Sequence, residues 1–181
     1  MKNNNFKQRV LTFALAAVIA IGSGFFAVNS YAASGTGTAT ATVVTPIAIG
    51  ASSPNLRFGS FSTTAAGQTV AIATDGARTL TVALGLGTAQ NAFGAAGFAV
   101  TGEGTSTYAI TLPADGTVNI TTGTGLAAET MAVSSFVSNP ATTGTLTGGA
   151  QTLLVGATIT TVAAQVKGAY TGTFTVSVEY N

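Results

Sequence analysis

The chain has 181 residues, of which only 6 are Lys or Arg and 5 are Asp or Glu, and it contains no cysteine, histidine or tryptophan. Without imidazole or thiol there are no ordinary nucleophile triads, no usual zinc or copper ligand sets and no disulfide staples. So sparse a set of cations also argues against a nucleic-acid partner, which needs a basic face to neutralise phosphates.

The first 32 residues read as a secretory signal peptide. Lys2, Lys7 and Arg9 make a basic start, residues 10–28 are almost wholly apolar, and Ser30-Tyr31-Ala32 presents small residues at −3 and −1 of a cleavage site. The rival reading is a retained membrane anchor; Gly22-Ser23-Gly24 interrupts the apolar run. Beyond Ala32, three cations (Arg57, Arg78, Lys167) face five carboxylates, a net charge of −2. The basic balance of the whole sequence therefore belongs to the leader.

From residue 35 to residue 49, small and apolar residues occupy the odd positions and threonine most of the even ones. This predicts a long strand interrupted at Pro46, which cannot donate a ladder hydrogen bond. A short strand over residues 56–61 follows, with a bend at Gly59. Val70 and Ile72 alternate toward Asp75-Gly76, and Leu80, Val82, Leu84 and Leu86 alternate away, the pattern of a hairpin. Residues 85–97 read as a loop. Phe98 and Val100 open the next strand; Tyr108, Ile110 and Leu112 return, and Val118 and Ile120 follow the Pro113-Ala114-Asp115-Gly116 turn. Met131 and Val133 begin a strand that changes phase before Phe136. Leu153, Val155, Ala157 and Ile159 alternate after the turn at Gly148-Gly149.

The last stretch is the most regular. Tyr170, Phe174, Val176, Val178 and Tyr180 share one phase, and Thr171, Thr173, Thr175, Ser177 and Glu179 share the other. One face is buried and the other is wet, which fixes the register of a closing strand. No later strand of this chain is expected beyond it. No segment carries a helical period, so the expected fold is all-β, an antiparallel sandwich of roughly eight to ten strands.

Paired carboxylates could serve glycoside hydrolysis, and Glu103, Asp115 and Glu129 are the available trio. Asp115 precedes Gly116 and Glu103 sits between two glycines, so both read as turn residues serving their own backbone, as does Asp75. No calcium-loop spacing is present. The expectation is therefore no catalytic residues, no cofactor and no metal. The run Thr36 to Thr42 sets four threonines on one face, which reads as an exposed β-prone edge.

Three motifs resemble one family. Leu56-Arg57-Phe58-Gly59 follows the Pro46-Ile47-Ala48-Ile49 strand. Phe98-Ala99-Val100-Thr101-Gly102 precedes Thr107-Tyr108-Ala109-Ile110-Thr111-Leu112-Pro113, and the stretch from Gly168 to Asn181 closes the chain. Together these look like a secreted Gram-negative family described as a domain of unknown function, the 4402 family, over most of the chain from Val43 onward. That family is in turn similar to the immunoglobulin-like, pilin-like subunits of archaic chaperone–usher pili and spore-coat-U-type proteins. One departure is that those pilins commonly carry a disulfide.

The resemblance implies an immunoglobulin-like sandwich (residues 46–181) preceded by an arm (residues 33–45) that completes a neighbour's sandwich by strand addition. Donor side chains would be Ala39, Ala41 and Val43. The acceptor groove would be lined by Tyr170, Phe174, Val176, Val178 and Tyr180. It further implies export through the periplasm to the cell surface or beyond, self-association into an adhesive pilus or matrix fibre, and a periplasmic chaperone and outer-membrane usher as assembly partners. Two alternatives stand beside it: a monomeric exported module binding surface polysaccharide, and an outer-membrane barrel, for which strand-end aromatics are few. The arm also has a cis alternative, as the first strand of its own sandwich.

Overall fold

The computed structural model describes residues 32–62, 66–82, 91–123 and 126–181. All of the leader read in residues 1–32 except Ala32, and Leu84 and Leu86 of the hairpin, lie outside the described residues. Thr42–Asn181 form one compact unit.

That unit is an all-β antiparallel sandwich. Its larger sheet orders β1 (Ala48–Ile49), β6 (Ala96–Thr101), β11 (Ala150–Thr160), β3 (Thr69–Ile72) and β4 (Arg78–Leu80), and β9 (Thr130–Asn139) joins β11 to β8 (Val118–Thr121). The smaller sheet orders β10 (Thr143–Thr145), β7 (Thr107–Thr111) and β12 (Ser177–Tyr180). A two-residue ribbon pairs β2 (Arg57–Phe58) with β5 (Phe93–Gly94). One 3-10 turn, Ala127–Glu129, precedes β9.

β11 is the central strand, and its odd-numbered residues from Leu153 to Ile159 supply much of the core. Leu153, Val155, Ala157 and Ile159 are all fully buried. Both its edges are occupied, by β6 and β3 on one side and β9 on the other. Gly156 lies where a Cβ would strike the Ile72 carbonyl, so the close approach of β3 demands glycine there. The register with β9 shifts between Gly156 and Thr158.

The buried side chains form two clusters. One contains Phe98, Val100, Tyr108, Leu146, Leu153, Val155 and Val176; the other contains Val70, Val118, Met131, Val133 and Ile159. Each buried side chain of this size contributes about 1.5–3 kcal/mol. Phe174, Phe136 and Leu56 pack against both clusters.

Several hairpins form where turn chemistry places them. Asp75 Oδ1 accepts the Ala77 N–H at 2.8 Å and Gly76 takes φ 82°, closing β3 onto β4. Gly148 and Gly149 at φ 60° and 80° carry the chain from β10 to β11. The phase change in β9 is a kink at Ser135, φ 50°: Met131 and Val133 are buried before it, and Phe136 faces the core after it.

Three expectations need correction. The long first strand shortens to Ala48–Ile49: residues 35–42 have small side chains with little area to bury, Val43 and Val44 are exposed, and Pro46 has no N–H for a ladder. The strand read over residues 56–61 pairs only at Arg57–Phe58, since Gly59 at φ 72° turns the chain out of the ladder. The loop read in residues 85–97 ends earlier, as Phe93–Gly94 pair with β2 and β6 begins at Ala96. Twelve strands occur among the described residues, three of them only two residues long.

Candidate interaction groove

The closing segment enters beside β8 and leaves beside β7. At its start Tyr170 is half-buried, its hydroxyl donating to the Val166 carbonyl at 2.6 Å and accepting from Gln165 Nε2 at 3.0 Å. Thr171 exchanges main-chain hydrogen bonds with Thr121 at 2.9 and 3.0 Å. Gly172 then passes so close to the Asn119 carbonyl and Ile120 that a side chain would not fit. From Ser177 to Tyr180 the segment pairs with Thr111 to Tyr108, and the Asn181 N–H reaches the Thr107 carbonyl at 3.3 Å.

Between these two anchorages, residues 172–176 make no hydrogen bond to any described residue. The cause lies partly in the neighbour: β7 stops at Thr111, and Pro113 has no N–H with which to extend the ladder. Side-chain alternation nevertheless persists. Phe174, Val178 and Tyr180 are half-buried and Val176 is buried, whereas Thr173, Thr175, Ser177 and Glu179 are exposed. The Phe174 ring stands edge-on to Phe98 at 6.0 Å and tilted against Phe136 at 5.3 Å. The segment is thus anchored by its side chains while its backbone is under-paired.

β12 is the end strand of the smaller sheet, and β1 is the end strand of the larger one. The two lie beside each other, with Ile47 and Ile49 packing on the cluster that also takes up Val176, Val178 and Tyr180. No ladder joins them among the described residues. Their tie is at one end. The Tyr180 hydroxyl donates to the Thr45 carbonyl at 2.8 Å and accepts the Glu103 N–H at 2.5 Å, while the Glu103 carboxylate accepts the Thr45 N–H at 2.8 Å. Gly102 makes room for this tyrosine, since a Cβ there would overlap the hydroxyl. The main-chain N–H of Thr45, then its hydroxyl, hold the Glu103 carboxyl below its ordinary value, against a smaller opposing effect of desolvation.

The groove-lining residues expected from the sequence are thus brought together in part: Phe174, Val176, Val178 and Tyr180 share the face beside β1. Tyr170 packs on the other core cluster, beyond the Thr171–Thr121 anchorage. On the donor side, residues 32–46 are exposed and carry no strand. Ala39 and Ala41 are in that run, as are the threonines of residues 36–42, and Val43 is 97% exposed.

The carboxylates are dispersed over three turns. Glu103 binds Thr45 rather than its own turn, a correction to the turn-serving role. Asp115 likewise reaches out, its Oδ1 accepting the Ser135 N–H of the β9 kink at 2.6 Å. Glu129 lies in the 3-10 turn, near Gly123. Among the described residues no three acidic, Cys or His side chains come close enough to share a metal ion. The Thr45–Glu103–Tyr180 contacts were not foreseen from the sequence, because they span 58, 77 and 135 residues and leave no local pattern. The small Gly102 beside Glu103 is the one local hint.

Residues 47–180 match the family model described as Domain of unknown function (DUF4402), and the chain belongs to that family. No curated protein and no solved structure matches it.

Proposed function

We propose that this member of the DUF4402 family is an exported structural subunit that assembles by strand addition into a pilus-like or matrix fibre. The observation that carries the reading is the backbone of residues 172–176, which alternates in and out like a strand but makes no hydrogen bond to any of the described residues. An under-paired edge of this kind is a template for another chain. The exposed arm, residues 33–45, has the matching period of two and could extend about 40 Å at about 3.3 Å per residue.

Strand addition here would rest mainly on the main-chain ladder. Each added hydrogen bond contributes about 0.5–1.5 kcal/mol net. Burial of the Ala39 and Ala41 methyls adds about 0.8 kcal/mol each, and Val43 about 1.5–3 kcal/mol. An immunoglobulin-like, pilin-like sandwich completed in this way fits export through the periplasm, with a chaperone covering the edge in transit and an usher at the outer membrane.

Deleting residues 33–44 tests the reading. The truncated protein is expected to keep its β circular-dichroism spectrum but to form no filaments by negative-stain microscopy. Filaments made without the arm would sink it. The polysaccharide-binding alternative would use an exposed aromatic, and Phe93 is the large exposed one among the described residues. One face of its ring already carries the Arg78 guanidinium, 4.3 Å from the centroid.

A further inference from the structure

We infer that the end of the larger sheet carrying Val82, Leu126, Val162, Val166 and Lys167 is a docking surface for a lipid bilayer with anionic headgroups. The inference stands apart from the fibre reading and uses none of its residues.

Several element boundaries meet at this end. β11 stops at Thr160, paired with Thr69 at the start of β3, and β8 stops at Thr121, paired with Thr130 at the start of β9. Thr81, one residue past β4, donates its N–H to the Thr69 carbonyl at 3.1 Å, which puts Val82 at the same end. The turns over residues 122–129 and 161–169 lie against each other. Gln165 Nε2 donates to the Thr130 carbonyl at 3.1 Å, and a Cβ at Gly168 would overlap the Thr122 hydroxyl.

The turn after β11 inverts the usual arrangement of a loop, in which polar side chains face outward. Between Thr161 and Lys167 the exposed residues are Val162, Ala163, Ala164 and Val166, whereas the one polar residue, Gln165, is 4% exposed. Gln165 is the keystone of the turn. Its Oε1 accepts the Val162 N–H at 3.0 Å, and its Nε2 donates to the Tyr170 hydroxyl at 3.0 Å as well as to Thr130. Ala164 is held at φ 54°, a left-handed conformation that any residue with a Cβ adopts at a cost. Buried polarity and backbone strain are thus spent on keeping apolar side chains outside. Val82 and Leu126, the latter 66% exposed, extend the surface. Four of the eight large apolar side chains exposed among the described residues therefore stand at this one end, a concentration that marks an interaction site.

Charge selects the occupant. Residues 61–69, 80–90, 122–130 and 160–169 contain only two charged side chains, Glu129 and Lys167. Glu129 is half-buried, and its carboxylate lies where a Cβ on Gly123 would stand. Lys167 is exposed beside Val166. An apolar end with an exposed cation at its rim complements a bilayer that carries anionic headgroups. The valines and Leu126 enter the acyl boundary, while the lysine stem lies along it and the ammonium reaches the phosphates.

The absence of native tryptophan allows a local test on the full chain. Val166→Trp reports on the apolar end, and Val137→Trp reports on a second exposed site, in β9. Each is titrated with vesicles of phosphatidylcholine alone or of phosphatidylcholine mixed with phosphatidylglycerol. The emission of the Val166→Trp chain is expected to shift to the blue with the mixed vesicles, and that of the Val137→Trp chain to stay unchanged. Because the readout is local, attachment through the apolar run of residues 10–28 does not mimic it. Adding Lys167→Gln should raise the lipid concentration for half the shift about fivefold with mixed vesicles and leave the response to pure phosphatidylcholine as it was. Adding Val162→Asp should abolish the shift. No shift at position 166, or equal shifts at 166 and 137, would overturn the inference. A blue shift at 166 that grows with protein concentration without vesicles would assign this end to a second copy and overturn it as well. Should Val166→Trp disturb the turn, Leu126→Trp on the neighbouring turn gives the same reading.

Discussion

β11 and the closing segment have the same sequence signature and opposite structural circumstances. Both place apolar side chains at every second position, Leu153 to Ile159 in β11 and Phe174 to Tyr180 in the closing segment. β11 is laddered along both edges, by β3 and β6 on one side and β9 on the other. The closing segment is laddered along one edge at Ser177–Tyr180, pinned once at Thr171, and between them has no main-chain partner among the described residues. A period of two therefore reports which way side chains point and says nothing about what lies beside the strand. Burial is encoded locally; edge occupancy is a property of the whole fold.

Core truncation should separate the two regions most widely. Leu153→Ala in β11 is expected to cost about 2–5 kcal/mol, because a fully buried side chain leaves a cavity walled on both sides. The matched change Val178→Ala, on a half-buried position, should cost about 1 kcal/mol. Urea unfolding of the two variants measures the gap, and equal losses would mean that the closing segment is as fully enclosed as β11.

A smaller effect is expected from Asp115→Ala. It removes the acceptor at the Ser135 N–H, and the kink that lets β9 present Phe136 to Phe174 should lose about 1 kcal/mol. Hydrogen exchange at Ser135 should rise in the same variant. An unchanged exchange rate there would show that the kink holds itself.

The mildest test is acid. Glu103 has a depressed carboxyl pKa in the folded chain, so its contribution is present above the unfolded value and is lost as pH falls through the folded one. Protection of the Thr45 amide is thus expected to stay constant from neutral pH down through the ordinary Glu range and to be lost only below it. Loss of protection between pH 6 and 8 would mean that a group other than Glu103 holds the Thr45 amide.

The same contrast explains how much of the molecule was legible in its sequence. The hairpin at Asp75-Gly76, the turn at Gly148-Gly149, the phase change before Phe136 and the buried face of residues 174–180 all follow from local pattern. Each depends on residues within a few positions of one another. The extent of β1 was misjudged because threonine–alanine alternation is strand-like in period but too small in volume to hold a place in a core. Glu103 and Asp115 looked like servants of their own turns, since nothing nearby in sequence indicates that Thr45 or Ser135 awaits a carboxylate. The apolar face of residues 174–180 was legible, but the lack of main-chain partners at residues 172–176 among the described residues was not, because it depends on β7 ending at Thr111, just before Pro113, about sixty residues earlier.

One feature of the connectivity bears on mechanics. The smaller sheet is stitched to the larger along its β10 side by two short covalent passages, from β9 through Pro140 into β10 and from β10 through Gly148-Gly149 into β11. Along its β12 side the tie to β1 is side-chain packing and a few hydrogen bonds at one end, with no main-chain ladder among the described residues. The sandwich is thus bound like a book, with its spine at β10 and its free margin at β12. Compliance should concentrate at that margin, so a load drawn across the two sheets would part the pages at β12 long before it strained the spine.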